Sequence, residues 1–401
     1  MSVDVFEAIR PYVDSEVPAV IERLVSSDAL VHGIIHVRYP KVPRYLEKPL
    51  ASFLRYRIHK ALLGVSTVKE FQVLMGAFLE KTIENTMNGF SYGGQEALQP
   101  GKPYLFLSNH RDITLDSALL NYALVHNGHE SAEIAIGDNL LFNPLVTDLL
   151  RLNKSFVVNR SATGVKQKYA ALTQLSHYIF QAHEDGRSTW IAQREGRAKD
   201  GADVTDPAIL KMLHVWARKQ GLSFSETMRH FNIVPVSVSY EYDPCDGLKA
   251  AELAAREQPG YVKSSGDDFQ SIMRGISQPK GHVHIQFGDV LTGDYETPEA
   301  AAQAIDAQVV SNYRLYPSNL YACDQLLHSQ QPLKSLRELS AEKLQQWMQT
   351  SSLTHMNLNA QELAQQAKEF RDRLSSYSEQ MQRYILEMYA NPVINKFRYQ
   401  P

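Results

Sequence analysis

The segment Tyr104-Leu-Phe-Leu-Ser-Asn-His110-Arg-Asp-Ile-Thr-Leu-Asp116-Ser sets an imidazole and a carboxylate just beyond an apolar run. An imidazole oriented by a carboxylate is a general base for a hydroxyl or an amine. The run Tyr104 to Leu107 reads as a buried strand and Leu115 to Val125 as a helix start. His110 then stands at the exposed carboxyl end of a strand, where open α/β sheets build their sites. The same residues admit a plainer reading, a polar turn in which Asp116 caps the helix, and the motif alone leaves both open.

Three further blocks follow in order. The second is Ala135-Ile-Gly137-Asp-Asn139-Leu-Leu-Phe-Asn-Pro144, continued by Leu149-Leu-Arg151 and Phe156-Val-Val-Asn-Arg160. The third is Trp190-Ile-Ala-Gln-Arg194-Glu195-Gly196-Arg197-Ala-Lys199-Asp-Gly201, and the fourth is Ile233-Val-Pro235-Val-Ser-Val-Ser-Tyr240-Glu241. Over about residues 100 to 290 this order resembles the glycerolipid acyltransferase superfamily, whose blocks are His-x4-Asp, Phe-Ile-Arg-Arg or Phe-Val-Asp-Arg, Glu-Gly-x-Arg-Ser and a Val-Pro-Val strand. Gly137-Asp-Asn139-Leu is similar to the Ala-Gly-x-Asn-Leu segment of bacterial glycerol-3-phosphate acyltransferases.

Two departures stand out. Five residues, Arg111 to Leu115, separate His110 from Asp116 where the family has four, and Asp112 competes as the partner of His110. Leu115-Asp116-Ser-Ala-Leu-Leu nonetheless continues like the family's helix start. In the third block Glu-Gly-x-Arg is shortened to Glu195-Gly196-Arg197, or else Arg194 takes the glutamate position; either alignment keeps Arg197 as the family's arginine.

The resemblance implies acyl transfer from a thioester, with acyl carrier protein or coenzyme A as donor, no cofactor and no covalent acyl-enzyme. His110 would take the acceptor's hydroxyl proton, and Asp116 would fix the tautomer and stabilise the imidazolium. Backbone amides of the third block and Arg111 are candidate oxyanion donors, each worth about 3 to 4 kcal/mol. Asn139, Arg160, Glu195, Gly196, Arg197 and Lys199 are the remaining candidates for holding substrate, since guanidinium forks match phosphate bidentately. Without a ligand, the basic members of this set are a solvated face.

Other chemistries fit worse. His110-Arg-Asp112 shares its letters with the kinase catalytic loop, but Ser117 stands where that loop needs Asn and no glycine-rich loop precedes it. No Gly-x-Ser-x-Gly elbow marks a serine hydrolase. His282 and His284 share a strand face and with a carboxylate could ligate a metal, but a solvent-facing strand pair is the better reading, and we expect no metal. His36 and His59 have no partner that sequence can name.

A net charge of -3, with 44% hydrophobic and 21% charged residues, describes an ordinary globular chain and gives no sign of nucleic acid. Two cysteines, Cys245 and Cys323, suit a reducing compartment. The acidic start lacks the order of a signal peptide, and no apolar run approaches the ~18 residues of a spanning helix. We therefore expect a cytoplasmic protein that meets a membrane only from its surface. Between Arg38 and Lys60, basic residues (Arg38, Lys41, Arg44, Lys48, Arg55, Arg57, Lys60) alternate with Tyr39, Tyr45, Leu46, Phe53, Leu54 and Tyr56. That mixture suits an anionic leaflet; a solvated helix face broken by prolines 40, 43 and 49 is the competing reading.

These blocks need a scaffold. Residues 1–95 read as helical, Phe90 to Pro103 supplies a glycine- and proline-rich boundary, and 96–325 alternate strands with helices, which predicts an α/β domain with a mostly parallel sheet flanked by helices. Residues 326–401 read as a helical C-terminal region, polar and Gln-rich beyond Pro332, with Leu363, Ala367, Phe370, Leu374, Tyr377, Met381, Tyr384 and Met388 at four-three spacing, a helix packing its stripe on the α/β domain rather than a dimer coiled coil. The expected activity is acyl transfer to a hydroxyl of glycerol-3-phosphate, lysophosphatidate or a related lysolipid. A non-phosphate, amino-acid-derived acceptor and a catalytically silent lipid-binding protein are the alternatives.

Overall fold

The computed structural model describes residues 4–39, 42–141, 143–261, 266–329, 339–350 and 359–399. In chain order they form α1 (Val17–Val25), α2 (Asp28–Arg38), α3 (Arg44–Leu62), α4 (Val68–Thr86), β1 (Met87–Gly93), β2 (Leu105–Ser108), α5 (Leu115–His126), β3 (Glu133–Gly137), α6 (Pro144–Leu152) and β4 (Ser155–Val158). There follow α7 (Val165–Glu184), β5 (Thr189–Ala192), α8 (Pro207–Lys219), α9 (Phe224–His230), β6 (Ile233–Tyr240), α10 (Asp246–Arg256), α11 (Gly266–Ser277) and β7 (Gly281–Phe287). The chain closes with α12 (Pro298–Asn312), α13 (Pro317–Leu327), α14 (Ala341–Thr350), α15 (Ala360–Leu374) and α16 (Glu379–Tyr399). Two compact units result, one from residues 1–81 and 132–179, the other from 82–131 and 180–401.

The second unit holds the strands in the order β1-β7-β6-β2-β5. β2 runs parallel to both β6 and β5, β1 runs parallel to β7, and only the β6–β7 pair is antiparallel. Every residue of β2 and β6 is buried: β2 reads as an apolar run that ends in Ser108, whereas in β6 Val236, Val238 and Tyr240 alternate with Ser237 and Ser239, which are buried all the same. Pro235 survives in an interior strand because the ladder to β7 begins one residue later, at Val236, so the missing N–H removes no rung there. Its carbonyl accepts the Gly288 N–H at 2.8 Å.

β1 departs from the helical expectation for residues 1–95. Met-Asn-Gly-Phe-Ser-Tyr-Gly carries no apolar alternation because it is the outermost strand of this order and only Met87 is buried. Its glycines answer to the neighbouring strand: a Cβ on Gly89 would come 2.9 Å from the His282 ring, and one on Gly93 would come 3.0 Å from Gln286 Oε1.

The C-terminal stripe packs inward, as expected, but on two helices instead of one. Ser375 Oγ and Ser376 Oγ donate to the carbonyls of Asp372 and Arg373, at 2.7 and 3.0 Å, and end α15. Phe370, Leu374, Ile385, Met388 and Tyr389 then share one core with Tyr313, Ala322 and Leu326.

The first unit pairs β3 and β4 in parallel. Its helices close over Val17, Val20, Leu24, Phe71 and Leu152, while Val31, Ile35 and Ala51 form a second core against α3. α3 continues through Pro49, and Pro43 is its N-cap, so these two prolines bound and perturb the helix without breaking it. Pro40 and Lys41 lie outside the described residues.

Candidate active site

β2 ends at Ser108, and the loop that follows is tied back to β6 by one side chain. Asn109 Oδ1 accepts the Val238 N–H at 2.7 Å and Asn109 Nδ2 donates to the Val238 carbonyl at 3.0 Å, so a side-chain amide extends the ladder after the main chain has left it. His110 emerges next. Its Nδ1 lies 2.8 Å from Asp116 Oδ2, with the imidazole 13% exposed and the carboxylate fully buried.

Asp116 is saturated with donors. Oδ2 also accepts the Arg111 N–H at 2.6 Å and the Asp112 N–H at 2.9 Å, and Oδ1 accepts the Tyr240 hydroxyl at 2.9 Å. Burial, with the Asp116 charge second, raises the Tyr240 phenol well above its ordinary value, so it donates and does not ionise. Ionised acceptors hold such donors more strongly than neutral ones. The Trp190 ring meets His110 edge to face at 5.5 Å, and Trp190 Nε1 donates to Ser108 Oγ at 3.0 Å.

The competition between the two aspartates is resolved by local geometry. Asp112 Oδ1 accepts the Thr114 and Leu115 N–H groups, at 2.9 and 2.8 Å, in an aspartate turn that leads into α5, whose N-cap, Thr114, makes no side-chain capping bond. Asp112 Oδ2 has no partner and faces Gly275 of α11, where a Cβ would come 2.2 Å from it. Burial first, and the nearby Asp116 charge second, raise the Asp112 carboxyl.

Arg111 does not project toward solvent. Its side chain is 4% exposed, its guanidinium pairs with buried Asp203 and lies 5.4 Å from the Tyr313 ring centroid. The expectation that this guanidinium serves substrate or an oxyanion therefore gives way to a buried ion pair, which a polar side chain this far inside requires. Lys199 likewise pairs with Glu252.

Arg197 differs from both. Nη2 donates to Ser271 Oγ at 3.2 Å and stands 4.0 Å from Asp268, but Nη1 has no partner although the side chain is only 7% exposed. Gly196, at φ +74°, occupies the left-handed region that a side chain would strain, and exposed Glu195 precedes it. The Ala198 N–H donates to the His110 carbonyl at 2.9 Å, which fastens this block to the histidine loop.

Asn139 and Arg160 belong to the first unit. There Asp138 accepts the N–H groups of Arg160 and Ser161, at 3.1 and 3.0 Å. A Cβ on Gly137 would come 2.3 Å from Asn139 Oδ1 and 3.0 Å from Arg160 Cζ, so the glycine lets both side chains gather over the end of β3. Among the described residues no cluster of His, Cys, Asp and Glu could hold a metal; His282 pairs with Glu241, and His284 with Ser91.

Sequence reasoning missed Asp203, Asp243 and Lys249, whose roles rest on pairings across 92, 6 and 138 residues. It quoted Tyr240 only as the end of a strand.

The family model described as Acyltransferase matches residues 89–239. Glycerol-3-phosphate acyltransferase of Pseudoalteromonas translucida is 27% identical over 199 residues, 49% of this chain and 22% of that protein. Dihydroxyacetone phosphate acyltransferase of Bos taurus is 26% identical over 195 residues, 49% of this chain and 27% of that protein. The chain thus spans about a quarter of the length of the curated relatives it matches. Among solved structures, the 1-acyl-sn-glycerophosphate (LPA) acyltransferase of Thermotoga maritima aligns with 72% of this chain and 93% of its own, at 13% identity and a TM-score of 0.34.

Proposed function

We propose, from the premise that the chain belongs to the glycerolipid acyltransferase superfamily, that it moves a fatty acyl group from a thioester of coenzyme A or acyl carrier protein to a hydroxyl of glycerol-3-phosphate, lysophosphatidate or a related lysolipid. The observation that carries this reading is the His110–Asp116 pair at 2.8 Å, on a loop bonded to the block that presents Arg197. With Nδ1 committed to Asp116, Nε2 is the nitrogen that takes the acceptor's hydroxyl proton as its oxygen attacks the thioester carbonyl. The tetrahedral intermediate then collapses, the carbon–sulfur bond breaks, and the imidazolium returns the proton to the departing thiolate. Third-block amides supply the oxyanion donors, and the free Nη1 of Arg197 meets the acceptor's anionic group.

One observation favours a second acceptor class. Arg111 and Lys199 both spend their charge on internal carboxylates, leaving less cation for a phosphate than the sequence promised. An amino-acid-derived lipid hydroxyl would need less. Mass spectrometry of the lipids formed from acyl thioester and a mixed acceptor extract separates these readings. Acylated glycerol phosphate or lysolipid supports the first, an acylated amino-acid lipid the second, and thioester bound but never consumed defeats both.

The membrane surface is met, in this reading, through α3 in the first unit. Tyr45, Leu46, Phe53 and Tyr56 are exposed there beside exposed Lys48, Arg57 and Lys60, a pairing of aromatic and basic residues suited to an anionic leaflet. No described helix is long and apolar enough to cross a membrane. Sedimentation with vesicles should require anionic lipid and weaken in Phe53→Ser/Tyr56→Ser; equal binding by that variant would exclude this face.

A further inference from the structure

The last helix lies against two separate loops of the second unit. Asn391 Nδ2 donates to the Asp200 carbonyl at 2.6 Å and Asn395 Nδ2 to the Ala202 carbonyl at 2.7 Å. Between them, Pro392 has no N–H to give the Met388 carbonyl four residues back. That released carbonyl sits over Gly201, where a Cβ would come within 2.1 Å of it. One turn of α16 therefore fixes residues 200–202, and the next residue, Asp203, carries the carboxylate that pairs with Arg111 and accepts from Asn109 Nδ2 at 3.2 Å.

The second contact lies beyond β6. The Tyr389 hydroxyl accepts the Asp243 N–H at 2.7 Å and reaches Asp246 Oδ2 at 3.2 Å. From α15, Arg373 donates to Asp246 at 2.7 Å and to the Asp243 carbonyl at 3.0 Å. Asp243 pairs in turn with Lys249, a fully buried ammonium that donates to the Arg111 carbonyl at 2.8 Å.

Both routes end on one residue. Arg111 is held by its guanidinium from the 200–203 side and by its carbonyl from the 243–249 side, while its own N–H grips Asp116 at 2.6 Å. We propose that α16 is a positioning element for the His110–Asp116 pair, acting through Asp203 and Lys249 on Arg111, so that the C-terminal helices belong to the catalytic apparatus. Neither α16 nor Lys249 touches substrate in this scheme. Their contribution is to the placement of His110, where small displacements of a base reduce turnover without weakening binding.

The proposal rests on the acyl-transfer reading for its kinetic arm only. Two variants, Asn391→Ala/Asn395→Ala and Lys249→Met, are compared with the unsubstituted protein by kinetics and by the low-field proton resonance of the His110 Nδ1–H. Each is expected to lower kcat by about tenfold or more with both KM values within about twofold, and to shift or broaden that resonance. Wild-type kcat and an unmoved resonance in the folded variants would overturn the proposal, as would a raised acceptor KM at unchanged kcat, the signature of acceptor binding. Should Lys249→Met not fold, Tyr389→Phe, which loses one hydroxyl, replaces it with the same outcomes. A wild-type protein that transfers no acyl group would sink the functional reading, while the resonance still decides the positioning one.

Discussion

Among the described residues of the second unit, two histidines are bonded through Nδ1 to a buried carboxylate at 2.8 Å, His110 on Asp116 and His282 on Glu241. Their surroundings differ. Asp116 draws in two main-chain amides of the loop and the Tyr240 hydroxyl, so its imidazole is held within a preorganised turn. Glu241 Oε2 accepts the ring and the main-chain N–H of His282 itself, at 2.8 and 2.7 Å, a clasp that pins the start of β7. His110 is 13% exposed beside Trp190, whereas His282 is 41% exposed at the start of a strand. A carboxylate at hydrogen-bond distance is therefore not what separates a base from a structural pair. The difference lies in what else holds the carboxylate and in whether a partly desolvated cation waits nearby, as Arg197 does on the block bonded to His110.

The sharpest way to break this contrast is to delete each ring. His110→Ala is expected to lose acyl transfer to background while retaining its fold, whereas His282→Ala keeps turnover within about twofold; equal losses measured by initial rates would erase the distinction. Removing only the orienting charge comes next. Asp116→Asn should reduce kcat by about three orders of magnitude through the wrong tautomer, against little change for Glu241→Gln, which should instead lower the melting temperature. Arg197→Ala tests the waiting cation, with an expected rise of about tenfold or more in the acceptor KM and a smaller change in donor KM. An unchanged acceptor KM would remove Arg197 from the site.

A third imidazole, buried without a carboxylate, supplies the smallest effect. Burial first, and the neighbouring His230 charge second, lower His183 from 6.5 to about 4. The folded state then holds this ring neutral while the unfolded chain protonates it, so stability is complete above about pH 6.5 and is lost as pH falls toward 4, by about 3 kcal/mol in all. In His183→Phe the acid unfolding midpoint should move to lower pH; a midpoint that stays put would show that other groups set it.

Much of the frame was legible in the chain. The strands at 105–108, 133–137, 155–158 and 189–192 carry mostly apolar residues because they are largely buried, and burial leaves a compositional mark, while 233–240 shows it as valines and a tyrosine set between buried serines. β1 left none, being an outermost strand of glycine and polar residues, and the break between α15 and α16 lies in serines that favour local bonding over the helix ladder. The histidine, both aspartates and the third-block arginine could be named from type and spacing alone.

Which aspartate serves the ring, and which arginine remains available, could not. Asp112 and Asp116 are equal as letters; a turn leading into α5 consumes one oxygen of the first, and a cluster of amides and a phenol orients the second. Arg111 and Arg197 are likewise equal until Asp203, 92 residues away, neutralises the first. Local sequence determined the elements and the chemical inventory because propensity and burial act over a few residues. Tertiary structure decided the roles, because a buried charge takes its meaning from whichever partner the fold brings within about 3 Å, and that partner is set by packing rather than by spacing.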